Sequence, residues 1–159
     1  MAIFSNGSGT NIDLELTPKG TGRVEAVGPT AIQEVFEKVT VTATAATGTK
    51  TFDVMTQAVL YYTSNATGNW TLNIRGDGSN SLDSIMNTGE SCTIAHLVTM
   101  STAYYNSAVQ VDGAGVTPEW QGGSAPAAGN INSVDVYSYT VIKTGAATFK
   151  VFAAQTQFA

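Results

Sequence analysis

Charge is what this sequence has least of. Asp, Glu, Lys and Arg together make up 12% of its 159 residues, about half the usual quarter. The basic residues are scattered singly at Lys19, Arg23, Lys38, Lys50, Arg75, Lys143 and Lys150, and the net charge is −5. A nucleic-acid binder needs a basic stripe to neutralise phosphates, so that class is excluded as an expectation. Cys92 is the single cysteine and His96 the single histidine. One cysteine permits no intrachain disulfide and no cysteine metal cluster, and one histidine leaves a zinc site almost nothing to build on. No apolar run approaches the roughly 18 residues of a membrane-spanning helix. Met1–Ser5 has neither a basic start nor a sustained apolar stretch, so no secretory signal is expected and assembly in a cytoplasm is. No cofactor and no membrane partner are expected.

Gly, Ala, Ser, Thr and Asn fill the space that charge leaves, a balance suited to a β-rich surface that meets other proteins. Ile12, Leu14 and Leu16 alternate with Asp13, Glu15 and Thr17, the period of a half-buried strand. Pro18–Gly22 is turn chemistry, and a second short strand is expected at Arg23–Val27. Residues 1–30 therefore predict an extended β-hairpin arm. It holds too few apolar residues for a core of its own, and a lone hairpin is marginal in water. Copies of the same chain are the simplest partner, with Ile12, Leu14, Leu16 and Val24 as the contacts. Thr30 and Gln33 have the spacing of a capping box, so 31–37 is expected to be a short helical or turn connector.

From residue 38 to 159 only strands and turns are expected. Val39–Thr44, Gln57–Thr63, Trp70–Arg75, Ser91–Met100, Tyr104–Val111, Val134–Thr144 and Ala147–Ala154 read as strands, with one helical turn at Ser81–Met86. Gly-containing pairs such as Asp77-Gly78, Asp112-Gly113 and Gly122-Gly123 punctuate them. The fold class expected is all-β, an antiparallel, jelly-roll-like β-sandwich behind the arm. Parallel α/β order is not expected, since no helix is long enough for a crossover.

No catalytic constellation emerges. His96 shares a strand face with Ile94, Val98 and Met100, which favours a core or interface histidine over a ligand or base. Asp77–Asp83 spaces oxygen atoms as calcium loops do, but without their sixth-position Gly and twelfth-position Glu, so a polar turn is expected. No Gly-x-Ser-x-Gly elbow and no identifiable carboxylate pair is present. Tyr104, Tyr105 and Trp120 are the candidate aromatic contacts to a glycan or receptor, since such rings offer rigid area with a polar tip; the alternative is that they line the core and the subunit interface.

Several segments carry a resemblance. Trp120–Pro126, Asn132–Lys143 and Phe152–Phe158 resemble the C-terminal domains of fibre and other virion structural proteins of tailed, particularly marine, phages. Val59–Asn65 and Trp70–Gly76 share the likeness, and Leu16–Val24 resembles a short repeat of trimeric tail fibres. The resemblance implies a non-enzymatic virion structural protein: a homotrimeric short fibre, or a head, neck or tail decoration subunit, bound to other virion proteins. A carbohydrate-binding module for host-surface glycan is the alternative.

Overall fold

The computed structural model describes residues 14–158, and the chain divides into two units between Val35 and Phe36. In the first unit the expected turn is present: the Gly22 N–H donates to the Lys19 carbonyl at 3.0 Å, and Gly20 adopts a φ of 62°. The flanking strands are not. Leu14–Thr17 and Arg23–Val27 form no ladder, and Ile12 lies outside the described residues. Alternation confers only the ability to pair, and among the described residues of this unit nothing supplies a partner. The helical connector is also absent. The Thr30 hydroxyl donates back to the Gly28 carbonyl instead of capping, and a single turn cannot offset helix nucleation when its apolar side chains stay in water.

The second unit is all-β. Ten strands run in order: β1 (Val39–Ala45), β2 (Gly48–Asp53), β3 (Val59–Ser64), β4 (Trp70–Arg75), β5 (Ser91–Met100), β6 (Asn106–Val111), β7 (Ala114–Val116), β8 (Glu119–Trp120), β9 (Ser133–Gly145) and β10 (Thr148–Phe158). One helical turn, α1 (Leu82–Ile85), sits where expected, between β4 and β5. The sheets are mixed, which corrects the antiparallel expectation. One has the order β1-β3-β5-β9-β10-β8 and the other β2-β4-β6-β7. The chain alternates between them, so β1, β3 and β5 pair in parallel, as do β2, β4 and β6. A parallel pair needs a long crossover. Here a strand of the other sheet serves as that crossover and no helix is required.

Strand alternation builds the core. Trp70, Leu72 and Ile74 of β4 point inward with Phe52, Val109 and Val111 from the same sheet, and Ile94, Val98, Tyr137, Tyr139, Val141 and Val151 of the larger sheet join the same apolar cluster. Each such side chain contributes roughly 1.5–3 kcal/mol on burial. The β6–β7 turn is Asp112-Gly113, with φ of 51° and 82°, the left-handed pair a two-residue hairpin demands. Asp112 also accepts from the N–H groups of Leu82 (2.6 Å) and Asp83 (2.9 Å), satisfying donors that open α1. Buried Lys143 of β9 holds α1 from the other side. Its ammonium donates to the carbonyls of Asp83 (2.6 Å) and Met86 (2.9 Å) and pairs with the Asp83 carboxylate at 2.7 Å.

Candidate interaction surface

The three aromatics singled out in the sequence are not brought together. Trp120 ends β8, half-buried, with its indole edge-on to Tyr139 at 6.1 Å. It borders an open groove of about 480 Å³ whose other walls are Glu119, Gln121, Ser138, Thr140, Phe152, Ala153 and Ala154. Tyr104 and Tyr105 sit in the connection from β5 to β6, and neither lines that groove. Tyr104 packs against the core. The Tyr105 backbone is tied to the start of β4: its N–H donates to Asn69 Oδ1 at 3.1 Å and its carbonyl accepts from Trp70 at 3.3 Å. The aromatic the sequence reading passed over is Phe152, 46% exposed in the same groove as Trp120. Its signal was its place in β10 between inward-facing Val151 and Ala153, which aims it outward. Lys150 lies 5.9 Å from the Phe152 ring centre and pairs with Glu119 at 2.5 Å.

His96 is a core residue, as expected. It is fully buried, edge-on to the rings of Tyr62 (5.5 Å) and Trp70 (5.9 Å). Neither ring nitrogen has a hydrogen-bond partner, and burial lowers its pKa from 6.5 to about 3. It is therefore a neutral packing element. The Asp77 loop is a turn, also as expected. One Asp77 oxygen accepts from the N–H groups of Ser79 and Asn80, both at 2.7 Å, and the Asn80 amide lies 3.0 Å from both oxygens. These bonds hold its carboxyl below the usual range. Among the described residues no cluster of three His, Cys, Asp or Glu side chains could hold a metal ion. Burial pushes the Cys92 thiol up and keeps it protonated. Asp135, buried in β9, accepts from the Gln155 amide at 2.7 Å and the Asn130 N–H, and burial raises its pKa. Gln155 also donates to Tyr137 Oη at 3.0 Å, and Tyr139 Oη donates to Asn106 at 3.1 Å. The Tyr139–Asn106 bond links β9 of the larger sheet to β6 of the smaller, and the bonds of Gln155 tie β10 to β9.

The larger sheet has a second face, opposite its core-facing residues Leu60, Tyr62, His96, Val98 and Tyr137. Strand register arranges that face in rows. Val41 aligns with Tyr61, Leu97 and Val136 across β1, β3, β5 and β9. Val39 aligns with Val59, Ala95 and Ser138, and Ser138 with Ala154 of β10. Neither row carries an Asp, Glu, Lys or Arg. Glu119 and Lys150, which do, sit at the far margin of the sheet and neutralise each other. Along β1, Val39 and Val41 are exposed while Thr40 and Thr42 turn inward, Thr40 donating to Gln57 at 2.9 Å. An uncharged face of Val, Leu, Ala and Tyr has the composition of an interface core, and contiguous apolar patches of this kind mark contact sites.

The chain matches no protein-family model, no curated protein and no solved structure.

Proposed function

We infer that this chain is a non-enzymatic structural subunit that assembles with copies of itself. The observation that carries the reading is the amount of apolar surface left without a neighbour. Leu14, Leu16, Val24, Val27, Ile32, Val35 and Phe36 are all exposed, Val27 and Phe36 at 95%, and the outer face of the larger sheet carries no charge along the Val39 and Val41 rows. Burial between subunits is non-directional and adds with area, so such surfaces favour association. The carboxylates support a structural role as well: Asp77, Asp83, Asp112 and Asp135 are each engaged by backbone N–H groups.

Three copies are the stoichiometry proposed, with the segment around Leu14, Leu16 and Val24 as the assembly element. The finer architecture belongs to this proposal: the two sheets form the layers of a β-sandwich in which the parallel coil takes the place of a wholly antiparallel jelly-roll order. The resemblance of the segments quoted above to virion proteins of tailed phages supports a role in a virion, as a short fibre or a decoration contacting other head, neck or tail proteins. Light scattering on the full chain and on a chain shortened to begin at Thr30 tests the assembly. A trimer that falls to single chains on shortening supports the reading; a full chain that stays single at all concentrations refutes it.

The groove beside Phe152 supports a second reading, host-surface glycan binding. An exposed aromatic ring flanked by the Ser138 and Thr140 hydroxyls and the Gln121 amide offers a stacking surface with polar groups at its rim. Binding on a glycan array that disappears in both Phe152→Ala and Trp120→Ala would establish it, and silence across a broad host polysaccharide panel would remove it.

A further inference from the structure

Strand β1 is the outermost strand of the larger sheet, and among the described residues no strand pairs with its far edge. Its two edges can be told apart. The Lys38 carbonyl accepts from the N–H groups of Ala58 and Val59 (2.9 and 3.2 Å), and the Thr42 carbonyl accepts from the Thr63 hydroxyl at 3.1 Å. The even-numbered residues therefore turn their backbone groups toward β3. Alternation along the strand then aims the N–H and C=O of Val39 and Val41 at the open edge.

Open edges are ordinarily blunted by charge or proline, because an unpaired row of N–H and C=O groups is a template for another chain. The β1 sequence, Val-Thr-Val-Thr-Ala-Thr-Ala, has neither. Its Val41 side chain is 62% exposed. The complementary deficit belongs to the first unit of the same chain. Leu14–Thr17 alternates like a strand yet has no ladder partner, and Leu14 and Leu16 carry the same two-residue spacing as Val39 and Val41.

We propose that Leu14–Thr17 of one copy adds as a strand to the open edge of β1 in a neighbouring copy, setting Leu14 and Leu16 beside Val39 and Val41. Main-chain hydrogen bonds supply the affinity in this mode of recognition, and alternate side chains supply the register. Cross-strand apolar pairs on the shared face add to it. A second copy is the occupant because one chain carries both halves of the match, and an uncharged edge suits an uncharged pair of leucines. Donor and acceptor are different surfaces, so the contact is heterologous, and a rotation between copies that closes makes a ring of fixed copy number. The inference rests on the self-assembly reading and specifies where assembly takes place.

Two measurements on the full chain separate the two ideas. Val41→Pro removes one outward N–H while leaving the β1–β3 ladder intact, a placement edge strands tolerate. The far-ultraviolet spectrum is expected to remain β-rich while the scattering mass falls to one chain. In the second measurement Leu16→Cys and Val41→Cys, each also carrying Cys92→Ala, are refolded together and treated with a short bismaleimide. A covalent species holding one chain of each kind is expected. If assembly persists in Val41→Pro and no mixed species forms, the strand-addition proposal fails while self-assembly stands. If the unmodified chain has the mass of one copy, both fail.

Discussion

Replacing His96 with Phe should remove a pH dependence expected of the native chain. His96 is wholly enclosed by Tyr62, Trp70 and Tyr137, with neither nitrogen hydrogen-bonded, and its folded pKa is lowered from 6.5 to about 3. The sign follows from linkage. Between about pH 6.5 and 3 the unfolded chain binds a proton at this ring and the folded chain does not, so stability falls as pH falls. It is complete above about pH 6.5 and is lost progressively toward about pH 3. Each unit is worth about 1.4 kcal/mol, so this ring alone should lower stability by about 2 kcal/mol from pH 7 to pH 5. With a urea slope of about 2 kcal/mol/M for a chain of this size, the midpoint should move by about 1 M. Phe preserves the ring contacts and cannot titrate. Urea midpoints at the two pH values, for the native chain and His96→Phe, provide the test. Asp135, whose raised pKa acts in the opposite direction, is present in both proteins and cancels. The same pH slope in both would refute the argument.

Three further outcomes are expected. Lys143→Met should cost about 2–3 kcal/mol in thermal or urea unfolding, because it strands the Asp83 and Met86 carbonyls; the partial exposure of Asp83 keeps the loss below that of a fully buried pair. A change under about 0.5 kcal/mol would mean that α1 is not held by this lysine. Gly129→Ala should destabilise by about 1–3 kcal/mol, since its methyl group would sit 2.1 Å from the Tyr104 carbonyl oxygen and 3.2 Å from Met100 Cε; unchanged melting would show that the loop yields freely. Leu14→Asp should lower the scattering mass without altering the β-rich spectrum of the body, and unchanged assembly would discount the Leu14 contact.

Strands were readable where alternation carried large side chains. Trp70, Leu72 and Ile74 marked β4, and the runs around His96 and Tyr139 marked β5 and β9. Strand β2 was not legible, because Phe52 is its lone large apolar side chain and its place depends on pairing with β4. The two-residue β8 exists only because β10 runs beside it. Parallel order escaped the sequence reading because strand periodicity is blind to direction. The segments Leu14–Thr17 and Arg23–Val27 form no ladder for a related reason: Leu14 and Leu16 state a capacity to pair, and pairing is a property of two segments. At the groove, Trp120 was legible as an aromatic in a Gly-rich stretch, while its contact with Tyr139 and its neighbour Phe152 required the parallel β8–β10 pairing.

The strand order also constrains how the molecule reaches its native state. Each of β1 to β4 waits for a sheet neighbour two strands later in sequence, and β5 for one four strands later, so no early hairpin forms among them. The hairpin β9–β10, with thirteen and eleven residues, is the longest local pairing, and β9 fills the position beside β5. On a ribosome the first five strands would emerge with that flank of β5 unsatisfied until the hairpin arrives. Non-local pairing of this kind folds in roughly milliseconds to seconds, slowly for a chain of this length. The late hairpin is thus the step that commits the body to its fold, and the interval before it is when an apolar, sparsely charged chain is most exposed to aggregation.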